Sequence, residues 1–185
     1  MSHVDLAKVL LLLKQFVTER KSQLDLTLLG GLALQHYGMQ NRATIDVDAE
    51  VTTRTGRTSD LLELFQFLKA HQIPSDLSEN ISGWSVVAMP PGYKDRTVTI
   101  YQDLQLRVAV LSPLDFVISK LRRFTEEDIE DALFVARKYA VEPKEIEQAA
   151  EEAIAHSVRD TTLFLFRGNL RFFIDKVMVS PENHF

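Results

Sequence analysis

Apolar positions follow two periods along this chain, and the change near residue 112 divides it. Residues 4–19 place Val4, Leu6, Val9, Leu10, Leu12, Leu13, Phe16 and Val17 at helical spacing on a broad face. Leu24 to Leu29 then alternates and turns apolar, as a strand entering a core does. Gly30-Gly31 interrupts it, and Leu32 to Tyr37 resumes as a short helix ending near Gly38. A strand is predicted over 44–51, where Ile45 and Val47 interleave with Thr44, Asp46 and Asp48. Arg54 to Thr58 reads as a polar turn, after which Thr58 or Ser59 caps a helix burying Leu61, Leu62, Leu64, Phe65, Phe67 and Leu68. Pro74 to Ser82 is polar and reads as loop. Trp84 to Met89 is predicted as a strand stopped by Pro90-Pro91-Gly92, and Thr97 to Tyr101 and Leu104 to Leu111 as two more, with a hairpin around Gln102-Asp103.

Beyond residue 112 only the helical period remains. Ser112-Pro113-Leu114-Asp115 carries the residues of a helix start, with Ser112 as N-cap, Pro113 at the first helical position and Asp115 at the third. Thr125 to Asp128 repeats that logic for a helix to about Tyr139, Pro143 opens a third, and 159–178 a fourth. The pattern predicts a mixed α/β part over 1–111 and a helical part over 112–185 packed on it. Phe164, Phe166, Phe172 and Phe173 are expected to cover the core, with a partner or homodimer surface as the alternative.

Asp46 and Asp48 fall one residue apart on the predicted strand. A strand turns residues i and i+2 to one side, so both carboxylates face the same way, ~6–7 Å apart. Two such anions repel unless a cation lies between them, and Mg²⁺ takes one or two carboxylates together with substrate phosphates. The pair predicts either such a metal site or solvated acids guarding an edge strand. Gly30-Gly31, between strand and helix, is either a tight turn or a place where a ligand approaches backbone N–H groups. Lys120 and Arg123 share a helix face and could meet phosphates; a solvated face near a helix C-terminus explains them as well. Asp128 and Asp131 can pair with either cation, and Asp128 can equally serve as a cap.

Composition narrows the classes. At 185 residues, 45% hydrophobic and 25% charged, the chain matches an ordinary globular protein with a real core. No apolar run reaches the ~18 residues of a membrane span, and the N-terminus lacks the pattern of a signal peptide, so no membrane is expected. With no cysteine, disulfides and thiolate zinc sites are excluded and a cytoplasmic location is expected. A net charge of −5 argues against a whole-surface nucleic-acid binder. The five histidines show no paired ligand spacing, and no Walker or nucleophile-elbow motif occurs.

Gly30-Gly31, a helix, and then Arg42-x-Thr44-x-Asp46-x-Asp48 resembles the signature of the DNA polymerase beta-like nucleotidyltransferase superfamily. Leu111 to Leu121, with Arg123, Asp128 and Asp131, is similar to its small bacterial branch, which includes the toxin components of abortive-infection-type toxin–antitoxin systems. The resemblance spans about 24–140. It implies an α+β fold, a mixed sheet flanked by helices with a helical C-terminal part. It implies that Gly30 and Gly31 hold the triphosphate of an NTP and that Asp46 and Asp48 hold Mg²⁺ and are catalytic, with Arg42, Arg96 and Lys120 as further phosphate contacts. The implied reaction moves a nucleoside monophosphate to a hydroxyl of RNA or protein, and the implied partners include an antitoxin.

Two departures stand out. The superfamily places a third carboxylate on a later strand, yet Thr97 to Tyr101 carries no acid; Asp95 precedes it and Asp103 follows it. The serine expected after the glycine pair is Leu32. Either Asp95 or Asp103 substitutes through a shifted register, or the protein binds a nucleotide, or another protein, without turnover.

Overall fold

The computed structural model describes residues 4–39, 44–53 and 59–179. The described chain is a mixed α+β protein with a five-stranded sheet, seven α-helices and one 3-10 helix. It divides into two compact units, Met1–Ile81 with Thr97–Leu111, and Ser82–Arg96 with Ser112–Phe185.

The first unit holds α1 (Leu6–Arg20), β1 (Leu24–Leu28), α2 (Gly30–His36), β2 (Val47–Thr53), α3 (Ser59–Ala70), β3 (Ser75–Ser78), β4 (Val98–Gln102) and β5 (Leu106–Val110). The sheet runs β3-β2-β1-β5-β4, with β1 parallel to β5, β2 parallel to β3, and the β1–β2 and β4–β5 pairs antiparallel. Strand alternation sorts its two faces. Leu24, Leu26, Leu28, Val47, Ala49, Val51, Leu106, Val108 and Val110 are all buried on one face. Val9, Leu13 and Phe16 of α1 and Leu64 and Leu68 of α3 are buried too, and Phe16 meets Phe67 edge-on at 5.3 Å. On the other face the register brings Asp25 and Thr27 of β1, Asp48 and Glu50 of β2, Asp76 and Ser78 of β3, and Arg107 of β5 to one side. Tyr37, at the end of α2, donates its hydroxyl to the Leu111 carbonyl beyond β5.

The second unit holds the 82–96 segment, α4 (Pro113–Leu121), α5 (Glu126–Lys138), α6 (Pro143–Ala155) and α7 (Thr162–Met178). Its helix starts follow the sequence signals. The Ser112 hydroxyl accepts from Asp115 N at 3.1 Å with Pro113 at the first turn, and Thr125 and Asp128 form a reciprocal capping box. Phe166 and Phe173 are buried as expected, whereas Phe164 is 75% exposed and Phe172 lies half out.

Four local predictions are corrected. The second strand begins at Val47, not at residue 44, so Asp46 sits on the bend that leads into it. The helix after β1 begins at Gly30, which takes φ +52°, two residues before Leu32. The polar 74–82 run contains the short edge strand β3, which pairing with β2 holds despite its weak pattern. The 84–89 segment is not a strand: Ile81–Trp84 is a 3-10 turn and bends follow. Its ladder groups are taken elsewhere, since Ser85 and Ser82 hydroxyls accept from Val87 N and Met89 N while the Arg122 guanidinium donates to the Ser82 and Val87 carbonyls. The predicted 54–58 turn and the Thr58 cap lie outside the described residues, and nothing is described of the Ser59 side chain.

Candidate active site

The acidic strand and the glycine turn meet because β1 and β2 are antiparallel neighbours. Leu28 stands opposite Ala49, and Leu29 N donates to the Asp48 carbonyl at 2.9 Å, so the turn that follows β1 lies beside the start of β2. Gly30 is pressed against the Asp48 side chain: a Cβ built there would collide with Asp48 Oδ2. Gly31 is pressed against Thr44, where a Cβ would lie 2.8 Å from the hydroxyl oxygen. Crowding favours glycine most at Gly31, which faces the Thr44 Cβ and hydroxyl, while at Gly30 the left-handed backbone favours it and a Cβ would also displace the end of the Asp48 side chain. A tight turn explains φ at Gly30; it does not explain why acidic and hydroxyl side chains fill the space that Cβ atoms would take.

Thr44 is buried, and its hydroxyl donates to Asp46 Oδ1 at 3.1 Å, with the Asp46 carbonyl at 3.2 Å. Asp46 and Asp48 are both half-buried. Two positions further, Glu50 lies on the same face as Asp48, is buried, and accepts from Ile81 N at 3.3 Å. Two half-exposed carboxylates beside a backbone turn form an oxygen donor set that suits Mg²⁺. Among the described residues no group of three or more acids and histidines could hold an ion by themselves, so the remaining oxygens would come from substrate and water.

The strand expected to carry the third carboxylate, β4, has no acid, while on β3 the register sets Asp76 opposite Asp48. Across from Glu50 the register places Thr27 on β1, then Ala109 on β5 and Thr99 on β4. Asp103 caps the β4–β5 turn, accepting from the Tyr101 hydroxyl at 2.6 Å and from Gln105 N and Leu106 N at 2.8 Å. These bonds, the tyrosine's first, hold its carboxyl below the usual range. It sits at the opposite end of the sheet from Asp48 and three strands away, ~14 Å across at ~4.8 Å per strand. Asp95 lies exposed in the 91–96 turn of the second unit.

The other site expectations fall as follows. Arg42 lies outside the described residues. Arg96 belongs to the second unit, where Nε and Nη2 donate to the two oxygens of fully buried Asp115 at 3.0 and 2.7 Å and Nη1 donates to the Pro91 carbonyl. Asp115 also accepts from the Ser112 hydroxyl at 2.6 Å. The hydrogen bond to Asp115 raises the Arg96 pKa. Lys120 points its ammonium between Asp128 Oδ1 at 3.1 Å and Asp131 Oδ2 at 2.8 Å, both buried, and Arg123 adds a second cation to Asp128. The pairing that the i, i+3 spacings suggested is present, and Asp128 caps α5 as well. Burial raises the Asp128 pKa, but bonds from Arg123, Thr125 and Lys120 outweigh it and leave the carboxyl below its ordinary value.

Glu50 and the role of Thr44 were not read from the sequence. Their signal was the alternation itself, since Thr44, Asp46, Asp48 and Glu50 continue one spacing of two. No helix among the described residues is long and apolar enough to cross a membrane.

No curated protein and no solved structure shows significant similarity to the chain. The model of the family described as "Nucleotidyltransferase of unknown function (DUF6036)" matches residues 5–161, which include the glycine turn, both acids and the helices through α6. The chain therefore belongs to that family of nucleotidyltransferases.

Proposed function

We propose that the protein is a Mg²⁺-dependent nucleotidyltransferase that moves a nucleoside monophosphate from an NTP to a hydroxyl of RNA or protein. The observation that carries this reading is the contact of Gly30 with the Asp48 carboxylate, which puts a side-chain-free stretch of backbone beside the acids. A triphosphate needs backbone it can approach closely and a cation to offset its charge. Mg²⁺, held by Asp46 and Asp48, would supply the charge neutralisation that this chemistry needs. The chain's own part is to hold the carboxylates toward the turn and to keep the turn free of side chains. The acceptor oxygen bonds to the α-phosphorus while the bond from that phosphorus to the bridging oxygen breaks. Pyrophosphate leaves with the electron pair, and the hydroxyl's proton passes to solvent. Arg42 is a further phosphate contact in this reading. A phosphate would have to compete with Asp115 for Arg96 and with Asp128 and Asp131 for Lys120.

The lack of an acid on β4 and the placement of Asp103 at the far end of the sheet favour one second reading, a nucleotide-binding or protein-interaction module without turnover. Incubation with each labelled NTP, Mg²⁺ and cellular RNA or lysate, alongside titration calorimetry, separates the two. Labelled product that Asp46→Ala and Asp48→Ala abolish supports the transferase, with the labelled species naming the RNA or protein acceptor. Binding without product supports the nucleotide-binding module, and no binding removes the transferase and that module together, leaving protein interaction.

A further inference from the structure

We infer that Thr44 is a positioning residue that ties the glycine turn to the Asp46 carboxylate, holding one oxygen so that the other is offered to the metal. This rests on the reading of Asp46 as a metal ligand. Three observations converge on the one side chain. Thr44 is buried, 7% exposed, in a stretch that is not yet strand, so no β ladder fixes Asp46. Its one hydroxyl proton is shared between Asp46 Oδ1 at 3.1 Å and the Asp46 carbonyl at 3.2 Å, so it ties the side chain and the backbone of Asp46 together. Its Cβ and hydroxyl occupy the space beside Gly31 that a side chain on that glycine would need. The Thr44 carbonyl is held in turn by Val4 N at 3.0 Å, ahead of α1, so the residue is anchored from its backbone while its side chain acts on the site.

The physical argument concerns order. Asp46 precedes β2 on a bend, and a carboxylate there is free to rotate unless something holds it. A neutral hydroxyl orients a carboxylate without neutralising it, whereas a Lys or Arg would cancel the charge the cation needs. Partners of this kind around metal ligands are typically worth ~10–100-fold in metal affinity. Threonine does both jobs: the hydroxyl holds Asp46, and the branched Cβ packs into the space beside Gly31.

The test uses Mn²⁺ as probe, read by its electron paramagnetic resonance signal with the full chain and a non-hydrolysable NTP analogue. Thr44→Val keeps the shape and removes the hydroxyl, and is expected to weaken Mn²⁺ binding ~10-fold or more. Thr44→Ser restores the hydroxyl and is expected to return affinity to near the unsubstituted protein. If Thr44→Val does not fold, as judged by circular dichroism, the Thr44→Ala and Thr44→Ser pair reads the hydroxyl, because the two differ by one oxygen. Equal Mn²⁺ affinity with and without the hydroxyl overturns the inference while leaving Asp46 and Asp48 as ligands. Loss in Thr44→Ser equal to that in Thr44→Val or Thr44→Ala also overturns it. Absence of Mn²⁺ binding by the unsubstituted protein removes the metal-site reading and this inference together.

Discussion

Two groups of aspartates in this protein meet opposite fates. In the helical unit Asp115, Asp128 and Asp131 are at most 1% exposed, and each is bound by a cation: Arg96, Lys120 with Arg123, and Lys120. In the sheet unit Asp46 and Asp48 are half-buried; the first is held by a neutral hydroxyl and the second lies against a glycine. In the helical unit a cation meets each of these buried carboxylates, whereas Asp46 is met by a neutral hydroxyl beside the two-glycine turn. A buried carboxylate that keeps its charge needs cations and donors around it, so the paired acids read as scaffold. A half-exposed pair beside bare backbone reads as chemistry.

Substitutions that exchange these fates test the contrast. The largest expected effect is on activity: Asp48→Ala should lower nucleotidyl transfer at least ~1,000-fold, in line with the several kcal/mol that metal-ion charge stabilisation supplies, while urea unfolding moves little. The mirror case is Lys120→Met, which leaves Asp128 short of one cation and Asp131 without that bond. It should cost ~3–5 kcal/mol in urea unfolding, as breaking a buried ion pair does. Were Asp48→Ala to unfold the chain and Lys120→Met to leave stability intact, the assignment of scaffold and site would have to be exchanged.

Smaller effects sharpen the boundary. Gly30→Ala meets a left-handed φ and the Asp48 carboxylate together, so it should cost ~1–2 kcal/mol in thermal unfolding and weaken NTP binding as well. Glycine to alanine at Gly168, where a Cβ meets nothing within 4 Å, is the control and should leave binding unchanged and stability equal or slightly higher. Acid should separate the regions too. The folded-state pKa of Asp128 lies below its unfolded value, so its contribution is present above the unfolded pKa of ~3.9 and is lost as pH falls through the lower folded value. Melting temperature measured from pH 7 downward should therefore drop below about pH 4, and Asp128→Asn should flatten that drop.

Most of the helical unit could be read directly, because its signals are local. Ser112-Pro113-x-Asp115 and Thr125-x-x-Asp128 each spell a helix start within four residues, and the structure forms both caps. The sheet was less legible. β3 is four residues, Ser75–Ser78, two of them serines, and exists because β2 offers it a partner. The 84–89 segment carries a strand's composition, yet its backbone groups are claimed by Ser82, Ser85 and Arg122, the last from 35 or more residues away in sequence. At the candidate site the two acids and the two glycines could be picked out by spacing, while the reason both positions favour glycine could not.

The amino-acid order alone determined the alternation that turns Asp48 out of the core, the break at Gly30-Gly31, and the capped helices after residue 112. Those features depend on neighbours within a few positions, where side-chain periodicity and capping chemistry act. Tertiary structure decided that the turn after β1 lies on the acids of β2, that Thr44 closes on Gly31, and that Asp103 ends at the far corner of the sheet. Each of these follows from strand order and register, which are set by how the whole apolar face packs, and no short window of sequence contains that information.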